Sequence, residues 1–120
     1  MSAVSPDDRE IEEMGRGRYS AQLIAGEQMS VQYFRTEPGC EPVPVHSHEA
    51  EEVVCPVQGA YTIAIDGEEH TVEAGEVFLI PGGVPHSSWN PGDEAAVGVI
   101  LFSPPRPHPR TDAMNTRNEA

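Results

Sequence analysis

The chain has 120 residues, enough for one hydrophobic core and too few for two. Seven cations against 20 carboxylates give a net charge of −13, which repels phosphate backbones and argues against a nucleic-acid partner. No apolar run reaches the ~18 residues of a membrane span, no leader segment opens the chain, so a cytoplasmic location and no membrane partner are expected, and two cysteines without a C-x-x-C spacing make no disulfide framework.

All seven cations are arginine. Dense carboxylates without lysine suit a salt-rich cytoplasm, where salt screens their repulsion, and a halophilic source is the expectation. Residues 1–17 are polar and acidic, with a weak helical pattern from Asp8 to Met14, and read as a loose arm with at most one helical turn. From residue 18 to residue 103 short runs alternate with turn signals, the rhythm of an all-β sandwich or barrel. Runs at 19–25 and 29–36 are split by Gly26-Glu27, and a third at 51–57 ends at Gln58-Gly59. The run at 61–65 enters Asp66-Gly67, the strongest hairpin signal in the chain. His70 to Val72 leads to Ala74-Gly75, and the apolar run at 77–80 stops at Pro81-Gly82-Gly83. A strand starts at His86, and the last one covers 95–102 after a turn at Asn90-Pro91-Gly92. Residues 104–120 carry four prolines near their start and read as an extended strap followed by a disordered end.

His46-Ser47-His48 is the first item of chemistry. On a strand, residues i and i+2 share a face ~6.8 Å apart, and two imidazoles there can converge on one metal. Glu52 has the same parity and Glu51 the opposite one, so Glu52 is the better carboxylate candidate. His86 follows a Pro-Gly-Gly turn that fixes its direction. Cys55 has the opposite parity to Glu52 and reads as a packing residue. Cys40 precedes the first histidine and is not expected to act as a catalytic thiol. Tyr33, Arg35 and Tyr61 could line a cavity or face outward. Trp89 reads as core or interface packing, and His70 and His108 have no partner at ligand spacing.

These positions resemble the cupin superfamily. Its first motif corresponds to Gly39, His46, His48, Glu52 and Gly59, and its second to Gly75, Pro81, Gly83, His86 and Asn90. Six residues, one more than usual, separate Gly39 from His46; the other nine positions have the expected spacing. The resemblance implies a small jelly-roll β-barrel holding one divalent transition metal on His46, His48, Glu52 and His86. Three nitrogens and one oxygen suit Mn, Fe, Co, Ni or Zn. A finer resemblance lies in Phe102-Ser103-Pro104-Pro105-Arg106, which is similar to a run in small cupins that linearise unsaturated uronates. That likeness implies active-site roles for Phe102 and Arg106. It also shows two departures: Ile100 stands where an acid contributes, and Glu52 where glutamine is usual.

Three readings follow. The first is a metal-dependent isomerase or lyase on a small carboxylate or sugar acid, with Arg106 suited to the carboxylate. The second is an Fe-dependent dioxygenase, although Glu52 argues against the thiol dioxygenases that use three histidines alone. The third is a non-catalytic small-molecule binding module. A homodimer is expected, since small cupins often pair by extending their sheets, with the strands before Gly39 as the expected contact.

Overall fold

The computed structural model describes residues 3–106. Of the strap expected from residue 104, the part beyond Arg106, with His108 and the disordered end expected after it, lies outside the described residues. The described residues form nine strands: β1 (Glu12–Gly15), β2 (Arg18–Ala25), β3 (Ser30–Thr36), β4 (Glu51–Gln58), β5 (Ala60–Ile65), β6 (Glu68–Glu73), β7 (Phe78–Ile80), β8 (His86–Trp89) and β9 (Ala96–Ser103). They make a six-stranded sheet in the order β1-β2-β3-β9-β4-β7 and a three-stranded sheet in the order β6-β5-β8. All the pairs are antiparallel. This is the expected all-β architecture of jelly-roll type.

The arm differs from its expectation. Pro6–Asp8 is a single 3-10 turn, but Glu12–Gly15 is a strand paired with β2. Glutamate and methionine favour helix over strand, so local propensity pointed the wrong way and pairing decided. The Asp66-Gly67 hairpin is as read, with both residues at positive φ (54° and 76°), as a two-residue turn of this kind requires.

The core lies between the sheets. β3 alternates strictly, with Ser30, Gln32, Phe34 and Thr36 buried and the residues between them half-buried. Phe34 meets Tyr61 of the opposite sheet with ring centroids 5.1 Å apart. Val54, Ile63, Ile65, Val72, Ile80 and Ala96 complete the cluster. Pro56 sits inside β4, where a missing N–H would break a central ladder. β7 pairs only with Glu52 to Val54, so Pro56 lies beyond its reach and loses no partner there.

Candidate metal centre

The loop between β3 and β4 carries the first two histidines, and β8 carries the third. His46 and His86 form an isolated bridge, each N–H donating to the other's carbonyl at 2.9 Å. Gly83 N–H, in the Pro-Gly-Gly turn, donates to the His48 carbonyl at 2.7 Å. The two motifs are thus clamped together through their backbones. This corrects one premise of the sequence reading: His46, His48 and Glu52 are not on one continuous strand, because a bend at Glu49-Ala50 intervenes and β4 begins at Glu51. Glu52 still points inward, because Glu52, Val54 and Pro56 are the buried face of β4 while Cys55 is half-buried on the other.

The side chains are arranged as a donor set. Each histidine has its Nδ1 2.9 Å from a backbone carbonyl: His46 to Pro44, His48 to Ala50 and His86 to Val84. A carbonyl only accepts, so each Nδ1 carries the proton. In the neutral imidazoles every Nε2 is then left with a lone pair. The ligand atoms of the three rings lie within 4.8 Å of one another. His86 Nε2 is buried and has no hydrogen-bond partner among the described residues. Glu52 Oε1 lies 3.0 Å from His48 Nε2 and 3.5 Å from His86 Nε2. A carboxylate lone pair facing an imidazole lone pair is repulsive, so this arrangement calls for a cation between them, either a proton or a metal. The three histidines therefore fit a metal ion.

The electrostatics agree. Burial pushes the Glu52 carboxyl up, but hydrogen bonds from His48 and His86, formed when a proton occupies their Nε2 atoms, outweigh it and hold the group at about 2. Burial lowers His46, beyond what the Pro44 carbonyl restores. Burial also acts downward on His86, and there the Glu52 carboxylate and the Val84 carbonyl outweigh it and raise the group.

A cavity of about 180 Å³ opens beside these residues and reaches His46, Glu52 and His86. Phe102 and Arg106 both line it. The Phe102 ring meets His48 edge-on at 5.7 Å, and the Arg106 guanidinium lies 5.1 Å from the centre of the same ring. The strap is tied down: Arg106 N–H donates to Ser30 Oγ and its carbonyl accepts from Gln22 Nε2, both at 3.0 Å. Tyr61 lines the cavity, and its hydroxyl accepts a hydrogen bond from Ser88 Oγ at 3.2 Å. Burial pushes the Tyr61 phenol up, which keeps it protonated.

Tyr33 and Arg35 are on the outer face of β3, where Arg35 pairs with Glu37 at 2.6 Å. Asn90 closes a turn: its amide donates to the Thr36 and Glu94 carbonyls and its oxygen accepts from Gly92 N–H. Cys40 donates to the Arg16 carbonyl, and His70 stacks on Phe78 with ring centroids 4.9 Å apart. Trp89 is half-buried at the end of β8. Arg18 and Gln32 line the cavity without having been singled out in the sequence. The alternation of β2 and β3 carries both, but nothing local marks them as chemical.

A family model of the cupin domain matches residues 32–102, more than half of the chain. The chain belongs to the cupin family. A comparison with curated proteins finds no match. Among solved structures this cupin is similar to KdgF from Halomonas sp., with a TM-score of 0.77 and 20% identity over 88% of this chain and 96% of that one. It is also similar to an RmlC-like cupin from Shewanella frigidimarina, with a TM-score of 0.75 and 25% identity over 85% of this chain and 89% of that one. The polyketide cyclase RemF from Streptomyces resistomycificus gives a TM-score of 0.75 and 20% identity, over 91% of this chain and 82% of that one. Likeness at 20% identity shows the shared fold.

Proposed function

We propose that this cupin is a metal-dependent isomerase or lyase acting on a small carboxylate or sugar acid. The metal ligands are His46, His48, Glu52 and His86. Two donors ~2.1 Å from one ion and at roughly right-angled to tetrahedral angles lie ~3.0–3.4 Å apart, and Glu52 Oε1 stands 3.0 and 3.5 Å from two Nε2 atoms. When bound, a divalent ion supplies a Lewis acid for a carbonyl or hydroxyl oxygen.

The observation that carries the reading is the stack of Arg106 on Phe102 on His48. It sets a cation at the cavity beside the histidines, in reach of a carboxylate whose neighbouring oxygen turns toward them. Phe102 is 4% exposed and forms an apolar wall, excluding water behind the bound acid. Tyr61, protonated, donates a hydrogen bond to a substrate oxygen and steadies negative charge there. Ile100 contributes only apolar surface to the cavity.

Replacing Arg106 with alanine is the test. Affinity for a carboxylate ligand falls by roughly 2–5 kcal/mol, the range for one half of a buried charge pair, while metal content stays at wild-type level. Equal affinities in the two proteins would remove Arg106 from the site. Elemental analysis of natively purified protein sets this reading against the oxygenase one, which requires iron.

The working unit in this reading is a homodimer. The outer face of the six-stranded sheet supports it, although the sequence pointed to the N-terminal strands. Val31, Leu101, Val53 and Leu79 form one row across four strands, and Tyr33, Val99 and Cys55 form the next. Neither row holds a charge in a chain of net −13, and Leu79 is 51% exposed.

A further inference from the structure

Arg106 is not the only cation of the cavity. Arg18 lines it too, so two of the seven arginines in a lysine-free chain meet one cavity. Arg18 belongs to β2, and Arg106 follows β9 but docks on the far part of the β2–β3 hairpin. The backbone of Arg106 is held by Gln22 and Ser30, near the end where β2 turns into β3. Arg18 stands at the other end, opposite Thr36. Gln22 is four positions along β2 from Arg18, which is ~13 Å of chain.

Arg18 has no carboxylate partner among the described residues. Its hydrogen bond is to the Met14 carbonyl at 3.4 Å. Arg35 is paired with Glu37 on the outer face; Arg18 instead turns an uncompensated charge toward the cavity. The local sequence makes room for it. Gly15, opposite Arg18 in the β1–β2 register, has its open side against the guanidinium, where a Cβ would collide with the Nη2 atom. Between the two arginines the cavity offers Phe34 and Ile100 as apolar wall and the Ser20–Gln32 pair, joined at 3.1 Å, as neutral hydrogen-bonding surface.

We infer that Arg18 is a second anion-binding residue, and that the ligand of this site is a dicarboxylate with its acids at opposite ends, one at Arg106 beside the histidines and the other at Arg18. The inference rests on the carboxylate role of Arg106 proposed above. Arg18 is then a specificity residue: it selects diacids over monoacids of equal length and takes no part in holding the metal.

The test uses the full-length, metal-loaded protein and calorimetric titration with succinate, glutarate and adipate, each against the monoacid of the same chain length. One diacid is expected to bind at least about tenfold tighter than its monoacid, a difference of about 1.4 kcal/mol. Arg18→Gln removes that advantage and leaves monoacid affinity and metal content unchanged, whereas Arg106→Ala weakens both acids. Arg18→Lys, which keeps the charge, retains part of the advantage. A wild type without diacid preference overturns the inference, and so does an Arg18→Gln protein that keeps the preference or loses both acids alike. Lys and Gln variants that are equally deficient also overturn it, since charge would not be the cause. If Arg106→Ala still weakens monoacid binding in any of these cases, the proposed function stands and only the role of Arg18 falls. If no acid binds, both fall.

Discussion

Each histidine of the centre is held at Nδ1 by a backbone carbonyl and turns its Nε2 toward the others, so losing one ring cannot be made good by its neighbours. His48→Ala removes a donor along with its edge contact to Phe102. Loss of a partner that merely orients a ligand typically costs ~10–100-fold in metal affinity, and loss of the ligand itself costs at least that. Dialysis against a mild chelator followed by elemental analysis checks it, and stoichiometric metal on the variant would contradict the four-ligand set. Protons compete for the same atoms. In the metal-free protein the raised His86 adds stability that is full below its ordinary value of 6.5 and fades as pH rises through its folded value. His46, lowered, adds stability that is present above 6.5 and is lost as pH falls toward its folded value. The two act on opposite sides of 6.5: as pH falls, the metal-free protein gains stability from His86 until about 6.5 and loses that of His46 below it. The loaded protein must keep all its imidazoles neutral, so its melting temperature drops toward the metal-free value below ~pH 6. A loaded protein that keeps the same margin over the metal-free one from ~pH 7 to ~pH 5 would show that the metal is not bound by imidazole. The convergence of His46, His48 and His86 was legible because motif spacing fixes side chains. Their carbonyl partners at Pro44, Ala50 and Val84 were not, because a backbone acceptor has no sequence signature.

Strand runs and turns were readable where side-chain alternation and glycine do the work. Asp66-Gly67 and the turn at Pro81-Gly82-Gly83 both lie where the sequence put them. β1 was not readable, since its pairing with β2 is a non-local event and its own residues favour helix. The course of the H-x-H segment was also hidden. The parity rule assumes a strand, whereas the two histidines are positioned by a bridge to β8 and a turn contact to Gly83. Gly98 shows how tightly the elements constrain one another. In β9 it lies opposite Pro56, and a Cβ at this position would collide with the Cys55 carbonyl. That obstacle is backbone and cannot rotate away. Gly98→Ala is therefore expected to destabilise the fold by about 1–3 kcal/mol, the usual cost of overpacking. The midpoint of urea unfolding reads this directly, and an unchanged midpoint would mean that β4 and β9 can part without penalty.

At the scale of the whole molecule, charge and apolar surface act against each other. Two copies that each carry −13 repel at low ionic strength. The rows through Leu101 and Val99 are the place on the outer sheet where copies can meet without bringing carboxylates together. Burying aliphatic surface at ~25 cal/mol per Å² favours contact at any salt concentration. The opposing repulsion weakens as the screening length shrinks from ~10 Å at 0.1 M to ~3 Å at 1 M salt. The homodimer is therefore expected to tighten as KCl is raised, and light scattering at micromolar protein should move toward twice the chain mass. Val99→Glu places a carboxylate in the middle of the apolar face, opposite Tyr33 and Cys55 in the sheet, without touching the metal residues. Meeting a second copy would then force two like charges together in a desolvated contact. That variant is expected to stay monomeric in molar KCl while binding metal as the wild type does. A wild-type protein that is monomeric at every salt concentration would remove the dimer. A Val99→Glu protein that still dimerises would move the contact away from this face, to the free edge of β1.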